Sequence, residues 1–263
     1  MPFKWATLAA CCSVRSWCIF CISFSDAKIV RQIITWGIGD LVFINDVFPK
    51  DWTAFIIGRP IEYLKKGIDG AKLVMYSDII NGEMVIIPTF EPDSIPDSKK
   101  LLYFDPLPQV TNRDIDEPSA KPSNTEIALR LYRPLMDFDT SIYFYKGFFR
   151  MPSAPKDSTI TKVNHFYPEL KVYGASTQGA AFGGVLSLEA GYYDSEDKNG
   201  NDPQIKNSQI RYLIGFQKAW TGDFTLGFQY YAERMMDYKE YKNSLDPTFP
   251  AKDKTRELYS IRL

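Results

Sequence analysis

The stretch Phe182-Gly183-Gly184-Val185-Leu186-Ser187-Leu188-Glu189-Ala190-Gly191-Tyr192 decides the fold class, because side chains of two kinds alternate along it. In an extended chain successive side chains point to opposite sides. One side would carry Phe182, Leu186, Leu188 and Tyr192, and the other Ser187 and Glu189 among small residues. The alternation predicts a β-strand that separates an apolar environment from a polar one.

Two later stretches repeat the pattern, one over 209–217 with Leu213 as an exception and one over 224–233. A membrane-crossing strand needs about 9–11 residues, whereas strands of globular domains more often have about 5–6. The length of these stretches favours the membrane. Weaker alternation predicts further strands, so that about ten are expected in all; the additional segments are 28–36, 71–76, 83–90, 126–131, 138–148, 170–174 and 255–263.

The connections between these segments alternate in length along the chain. Long connections cover 37–70, 91–123, 149–164, 194–207 and 236–254, and short ones cover 77–82, 134–137, 176–179 and 221–223. Bacterial outer-membrane barrels have short periplasmic turns and longer extracellular loops. The alternation of long and short connections therefore predicts an all-β fold, an antiparallel transmembrane up-and-down β-barrel. We expect this chain to hold an incomplete set of its strands.

A barrel in a bilayer places alternate side chains on lipid and on its lumen, because every backbone polar group pairs within the closed sheet. Charged and amide side chains of the predicted strands fall on the side opposite the apolar row. We therefore predict that these residues line the lumen: Glu126, Arg130, Glu189, Arg211, Gln217, Gln229 and Glu233.

Composition narrows the function classes. The 31 Lys and Arg residues nearly balance the 32 Asp and Glu residues, so the chain lacks the excess of basic residues that would indicate nucleic-acid binding. Aromatic residues make up 15% of the chain, which suits the aromatic girdles of a barrel and equally an aromatic-rich soluble β-sandwich. All four cysteines lie between Cys11 and Cys21, which is not the spread of a disulfide framework. We expect residues 1–25 to be a degraded or misassigned N-terminal segment, and 26–263 to form the partial barrel.

Residues 31–72 carry a family resemblance. Arg31-Gln32-Ile33-Ile34-Thr35-Trp36-Gly37, then Asp46 to Pro49 with Asp51, then Glu62-Tyr63-Leu64-Lys65 resemble a segment of large porin-like barrels of proteobacteria. These include uncharacterised and alginate-export-like outer-membrane families. The resemblance implies strands upstream of this motif and a terminal Phe or Trp, whereas this chain ends at Leu263. Both departures predict a fragment.

The motifs of enzymes and metal sites are incomplete. Gly37-Ile38-Gly39 lacks the third glycine of a dinucleotide loop, so a bend at a strand exit is favoured over phosphate binding. The acidic stretch 194–202 could hold calcium but departs from EF-hand spacing, and a solvated loop is favoured. His165 has no matching nucleophile. We expect no catalytic residues, no metal and no cofactor.

The expected function is a porin-like channel in the Gram-negative outer membrane, through which small polar solutes pass passively. The loop over 37–70, with Trp52, Arg59, Glu62 and Lys65, is the candidate constriction. The alternative is a non-transporting barrel that displays its loops; an outer-membrane enzyme and a soluble β fold are further competitors. Expected partners are outer-membrane lipid, lipopolysaccharide and the barrel-assembly machinery, with the oligomeric state left open.

Overall fold

A computed structural model describes residues 9–13, 17–22, 25–39, 42–96, 107, 110, 112–155, 162–220 and 224–263. Its regular elements are mostly strands, with two short helices. The strands are β1 (Ala9–Ser13), β2 (Trp17–Ile22), β3 (Ser25–Gln32), β4 (Ile68–Met75), β5 (Asn81–Ile87), β6 (Asn112–Asp116), β7 (Glu126–Leu135), β8 (Phe138–Phe148), β9 (Lys162–Phe166), β10 (Glu169–Ala181), β11 (Gly184–Ser195), β12 (Gln209–Ala219), β13 (Thr225–Met235) and β14 (Thr255–Arg262). The helices are α1 (Trp52–Ile56) and α2 (Tyr238–Ser244), and single 3₁₀ turns cover Ile61–Leu64 and Pro122–Asn124.

The strands form one large antiparallel sheet in nearly sequential order. Its order is β1-β2-β3-β4-β5-β7-β8-β10-β11-β12-β13-β14, and β6 and β9 form a separate parallel pair. In the described part of the chain, β1 and β14 are the sheet edges and are not hydrogen-bonded to each other. The structure thus shows the antiparallel, up-and-down arrangement of strands but not a closed barrel.

Each of the ten strands predicted from the alternation overlaps an observed strand of this sheet. The first is displaced: a strand was predicted over 28–36, whereas β3 ends at Gln32. In addition β1 and β2 lie within the segment 1–25, to which the alternation assigned no strand, and β2 pairs with β3. The division of the chain at residue 25 stays a prediction.

One predicted turn is wrong. The short connection predicted at 176–179 lies inside β10, and the chain instead reverses at Phe182 and Gly183. Both residues have positive φ, 53° and 72°. A two-residue hairpin turn with positive φ at both positions matches the right-handed twist of the strands that it joins.

The two faces of the sheet differ in burial. In β11 the residues Ser187, Glu189 and Tyr193 are buried, whereas Leu188 and Tyr192 between them are exposed. The other strands from β7 to β12 show the same alternation along part of their length. We call the buried side the inner face and the exposed side the outer face.

No helix in the described ranges has the length and apolar character that a membrane-spanning helix requires.

Candidate functional site

The chain between β3 and α1 returns across the inner face of the sheet. We call its described residues 34–39 and 42–50 the inner segment. Its Trp36 ring lies 5.0 Å from that of Phe48 and 5.8 Å from that of Tyr143 on β8. Apolar side chains of the inner segment and of strands β5 to β13 join in one core: Ile34, Trp36, Ile44, Val47 and Phe48 with, among others, Val85, Ala128, Tyr145, Val172, Leu213 and Tyr231.

A pair of glycines makes room for this contact. Gly174 on β10 and Gly191 on β11 lie opposite each other in the sheet. A β-carbon at Gly174 would lie 1.6 Å from Oδ1 of Asn45, and one at Gly191 would lie 2.8 Å from Cγ2 of Ile44. Any larger residue at either position would therefore displace the inner segment from the sheet.

Glu189 on β11 binds the inner segment through hydrogen bonds. Its carboxylate accepts hydrogen bonds from the backbone N–H groups of Ile38 (2.9 Å), Gly39 (3.2 Å) and Asn45 (2.9 Å), and from Nδ2 of Asn45 (2.9 Å). Gly37 has φ of 77°, which only glycine adopts without strain. Successive N–H groups in such a bend form an anion-binding concavity. The Gly-x-Gly motif thus binds an anion, and that anion is the protein's own carboxylate.

Glu126 and Arg150 form a second buried connection. Arg150 Nη1 donates to Oε1 of Glu126 at 2.9 Å, and the hydroxyl of Tyr145 donates to Oε2 at 2.7 Å. Arg150 also donates to the backbone carbonyls of Val47 (3.0 Å) and Glu91 (3.1 Å). The guanidinium therefore joins β7, the inner segment and the loop after β5.

Glu83 on β5 forms a third connection. It accepts a hydrogen bond from Nε1 of Trp36 at 3.1 Å, and its Oε1 pairs with Nζ of Lys72 at 2.7 Å. The carboxylates of Glu189, Glu126 and Glu83 are thus each neutralised or hydrogen-bonded by groups that lie elsewhere in the chain.

Within the inner segment, Asp46 and Lys50 form a buried ion pair with Nζ and Oδ1 3.0 Å apart. Lys50 Nζ also donates to the carbonyl of Phe48 at 2.7 Å. Burial raises the pKa of Asp46 above its usual range and lowers that of Lys50, and the attraction between the two opposes both shifts.

By their strand register the predicted lumen residues all fall on the side of the inner face, where Gln217 is exposed, and the structure brings only Arg211 and Glu233 of them into contact. Glu126 and Glu189 are buried under the inner segment, and Arg130 donates to Ser141 at 3.2 Å. Arg211 and Glu233 lie beside a cavity, 3.8 Å apart, with the guanidinium 3.7 Å from the centre of the Tyr193 ring. Gln217 and Gln229 lie nearer the short turns. That these residues line a pore stays a prediction.

The predicted constriction residues lie beyond the inner segment. Trp52 in α1 donates from Nε1 to Asp93 at 2.9 Å and borders the cavity. Arg59 and Glu62 are exposed, and Lys65 is partly buried. The part of the connection that lies against the sheet is the inner segment. Its sequence signals are Gly37-Ile38-Gly39 and the polar pair Asn45-Asp46 within an apolar stretch.

A cavity of about 920 Å³ opens at the end of the sheet where the long loops lie. Its walls include the ends of strands β8, β10, β11, β12, β13 and β14 and parts of the long connections that follow β8, β11 and β13. Residues that line it include Phe148, Leu170, Tyr193, Arg211, Tyr231 and Glu233.

The acidic loop and the histidine have structural partners. Asp197 accepts hydrogen bonds from the backbone of Asn199, Gly200 and Asp202, and His165 Nδ1 lies 2.7 Å from the carbonyl of Ser153. Within the described ranges, no group of three or more His, Cys, Asp or Glu side chains could hold a metal ion.

Comparisons with protein families, with curated proteins and with solved structures found no match to this chain. The fold and the inner face therefore carry the functional argument by themselves.

Proposed function

We propose that this chain is an outer-membrane β-barrel protein of a Gram-negative bacterium that forms a porin-like channel for small polar solutes. One observation carries the proposal: the outer face exposes large apolar side chains on consecutive strands. Examples on β7, β8, β11, β12 and β13 are Leu129, Ile142, Leu188, Ile214 and Phe228. A contiguous apolar surface of this extent is typical of contact with a membrane or a partner rather than with water.

The strand lengths match the thickness of a bilayer. β12 and β13 each have 11 residues, which at about 3.4 Å per residue and a tilt of about 40° project to roughly 28 Å. The apolar band of an outer-membrane barrel is about 25 Å tall. Strands of this length are therefore long enough to cross it once.

Aromatic side chains lie on the outer face near both ends of these strands. Phe182, Trp220 and Phe224 are exposed at the short-turn end, Trp220 at 60%. At the loop end, Tyr173 lies opposite both Phe144 and Tyr192 in one row across three strands. Aromatic rows at both ends of an apolar band correspond to the girdles of membrane barrels.

Lipid would not satisfy the free backbone groups of a sheet edge. The proposal therefore requires that the edges of β1 and β14 pair, either with each other or with further strands. The inner face supplies the polar side of such a barrel, and the cavity of about 920 Å³ supplies space for a solute at the loop end.

A second candidate is a barrel that displays its long loops and does not conduct. The inner segment favours it, because it packs on the inner faces of strands between β5 and β12 and is bound there by Glu189 and Arg150.

Conductance in planar bilayers separates the two candidates. The refolded full-length protein should give discrete current steps, and Glu189→Ala should enlarge them because it releases the inner segment. Absence of steps in both proteins would reject the channel. The barrel itself is tested by gel migration in detergent with and without boiling; a protein that is soluble without detergent and migrates identically in both would reject the membrane assignment.

A further inference from the structure

The cavity at the loop end holds a cluster of cations around one carboxylate. Lys206, Arg211 and Arg256 all interact electrostatically with Glu233, and Lys252 is close enough to interact with Lys206. The two nearer contacts are Arg211 Nε at 3.8 Å and Arg256 Nη1 at 3.6 Å from the carboxylate oxygens. One carboxylate does not balance four cations, so the cluster has an excess of positive charge.

The other acids of the cavity wall do not supply the missing charge. Asp46 is paired with Lys50. Asp93 accepts hydrogen bonds from the backbone of Lys50 and from Trp52. Asp253 adds one carboxylate to the wall, but the neighbouring Lys254 adds one more cation. The positive excess therefore remains at the wall formed by β12, β13 and the loops beside them.

Two buried donors at this wall have no hydrogen-bond partner within the described residues. They are Nε2 of Gln209 and Nε of Arg211. Gln209 is only 6% exposed, and both residues lie on the inner face of β12 and line the cavity. A buried donor without a partner costs free energy, on the order of 1–3 kcal/mol. Such a cost is recovered when a ligand supplies the acceptor.

Apolar and aromatic side chains also line the cavity. They include Phe148, Leu170, Tyr193, Tyr231 and Leu258, of which Tyr193 lies against Arg211. An inorganic anion would leave this surface without contact, whereas an organic anion would cover it.

We propose that the cavity binds a small organic carboxylate with an aromatic or aliphatic body. The carboxylate accepts hydrogen bonds from Gln209 Nε2 and Arg211 Nε, and Lys206 adds an ionic contact. The body of the ligand packs on Tyr193 and Leu258. This assignment rests on the proposed channel and deepens it, because it names the class of solute.

The test is calorimetric titration of the full-length protein in detergent micelles with benzoate and with benzamide, its neutral counterpart. Benzoate should bind at least about tenfold more tightly, because charge-assisted hydrogen bonds are worth about 1.5–3 kcal/mol. Gln209→Leu should weaken benzoate binding several-fold without lowering stability, because it removes a donor that has no partner. Lys206→Ala should also weaken it, and this residue is exposed, so the fold tolerates the change.

The matched control is Lys218→Ala. It removes a cation from β12, the strand of Gln209 and Arg211, but at a position beside Trp220 and outside the cavity. Equal affinity for benzoate and benzamide, no binding of either, or equal losses in all three variants would overturn the proposal. Binding in micelles does not require conduction, so benzoate binding without current steps rejects the channel alone. Current steps without a preference for benzoate reject the binding site alone.

Discussion

Ile214→Arg distinguishes a lipid-facing outer face from a water-facing one. Ile214 is the middle residue of β12, with five residues of the strand on either side of it. It is 47% exposed and lies between Leu188 on β11 and Tyr230 on β13. If β12 spans the bilayer, this position lies near the midplane.

The loss in the free energy of unfolding caused by this substitution differs between the two environments. An arginine at the midplane of a barrel's lipid face costs about 2–4 kcal/mol. At an exposed position of a soluble sheet, a surface substitution stays within about 0.5 kcal/mol. The difference corresponds to a factor of roughly ten or more in the unfolding equilibrium constant. A factor of this size is well above the error of an unfolding measurement.

The assay is equilibrium unfolding by urea of the protein refolded in phospholipid vesicles, followed by tryptophan fluorescence. The matched control is Gln229→Arg, which places the same side chain on the inner face of β13, next to the level of Ile214. We expect Ile214→Arg to lower the free energy of unfolding by at least about 2 kcal/mol relative to this control. Equal free energies in the two variants would refute the assignment of the outer face to lipid.

The remaining predictions concern the buried polar contacts and use the same unfolding assay. Glu189→Ala should cost about 3 kcal/mol, because it leaves backbone N–H groups of the inner segment without an acceptor; a cost below about 1 kcal/mol would contradict this. Arg150→Met should cost about 3–5 kcal/mol, because Glu126 is then buried without a cation, and the double change with Glu126→Gln should restore part of it. Lys50→Met should make the protein less stable at pH 8 than at pH 5. With the pKa of Asp46 raised by burial, the folded state holds its proton at a pH where the unfolded state has lost it, so stability falls as the pH rises; a flat profile would contradict this.

The strands and their faces were predictable because each face of the sheet has one kind of environment. Period-two alternation of apolar and polar side chains then marks the sheet strands β7, β8 and β10 to β13. The same property explains the wrong turn. Ser176, Thr177 and Gln178 have the composition of a turn, but Ser176 and Gln178 lie on the inner face, where polar side chains are expected. Polarity therefore loses its value as a turn signal within such strands.

The position of the inner segment was not predictable from local sequence. Asn45 and Glu189 are 144 residues apart, and their contact depends on the register of β10 and β11. The alternation marked Glu189 as a residue of the polar face, and Gly37-Ile38-Gly39 indicated a bend at a strand exit rather than an anion-binding site. Nothing in either stretch indicates that each is the partner of the other.

The inner segment also changes what the inner-face charges can do. Glu83, Glu126 and Glu189 would give a bare lumen a ring of negative charge, and such rings favour cations. In this structure each of the three has a fixed partner: Lys72 for Glu83, Arg150 for Glu126, and backbone N–H groups of the inner segment for Glu189. Their charge is therefore compensated before any solute arrives. The uncompensated groups at the cavity are cations and buried donors on and beside β12. A channel built on this sheet would thus select anions at its loop end, although the chain as a whole is almost neutral.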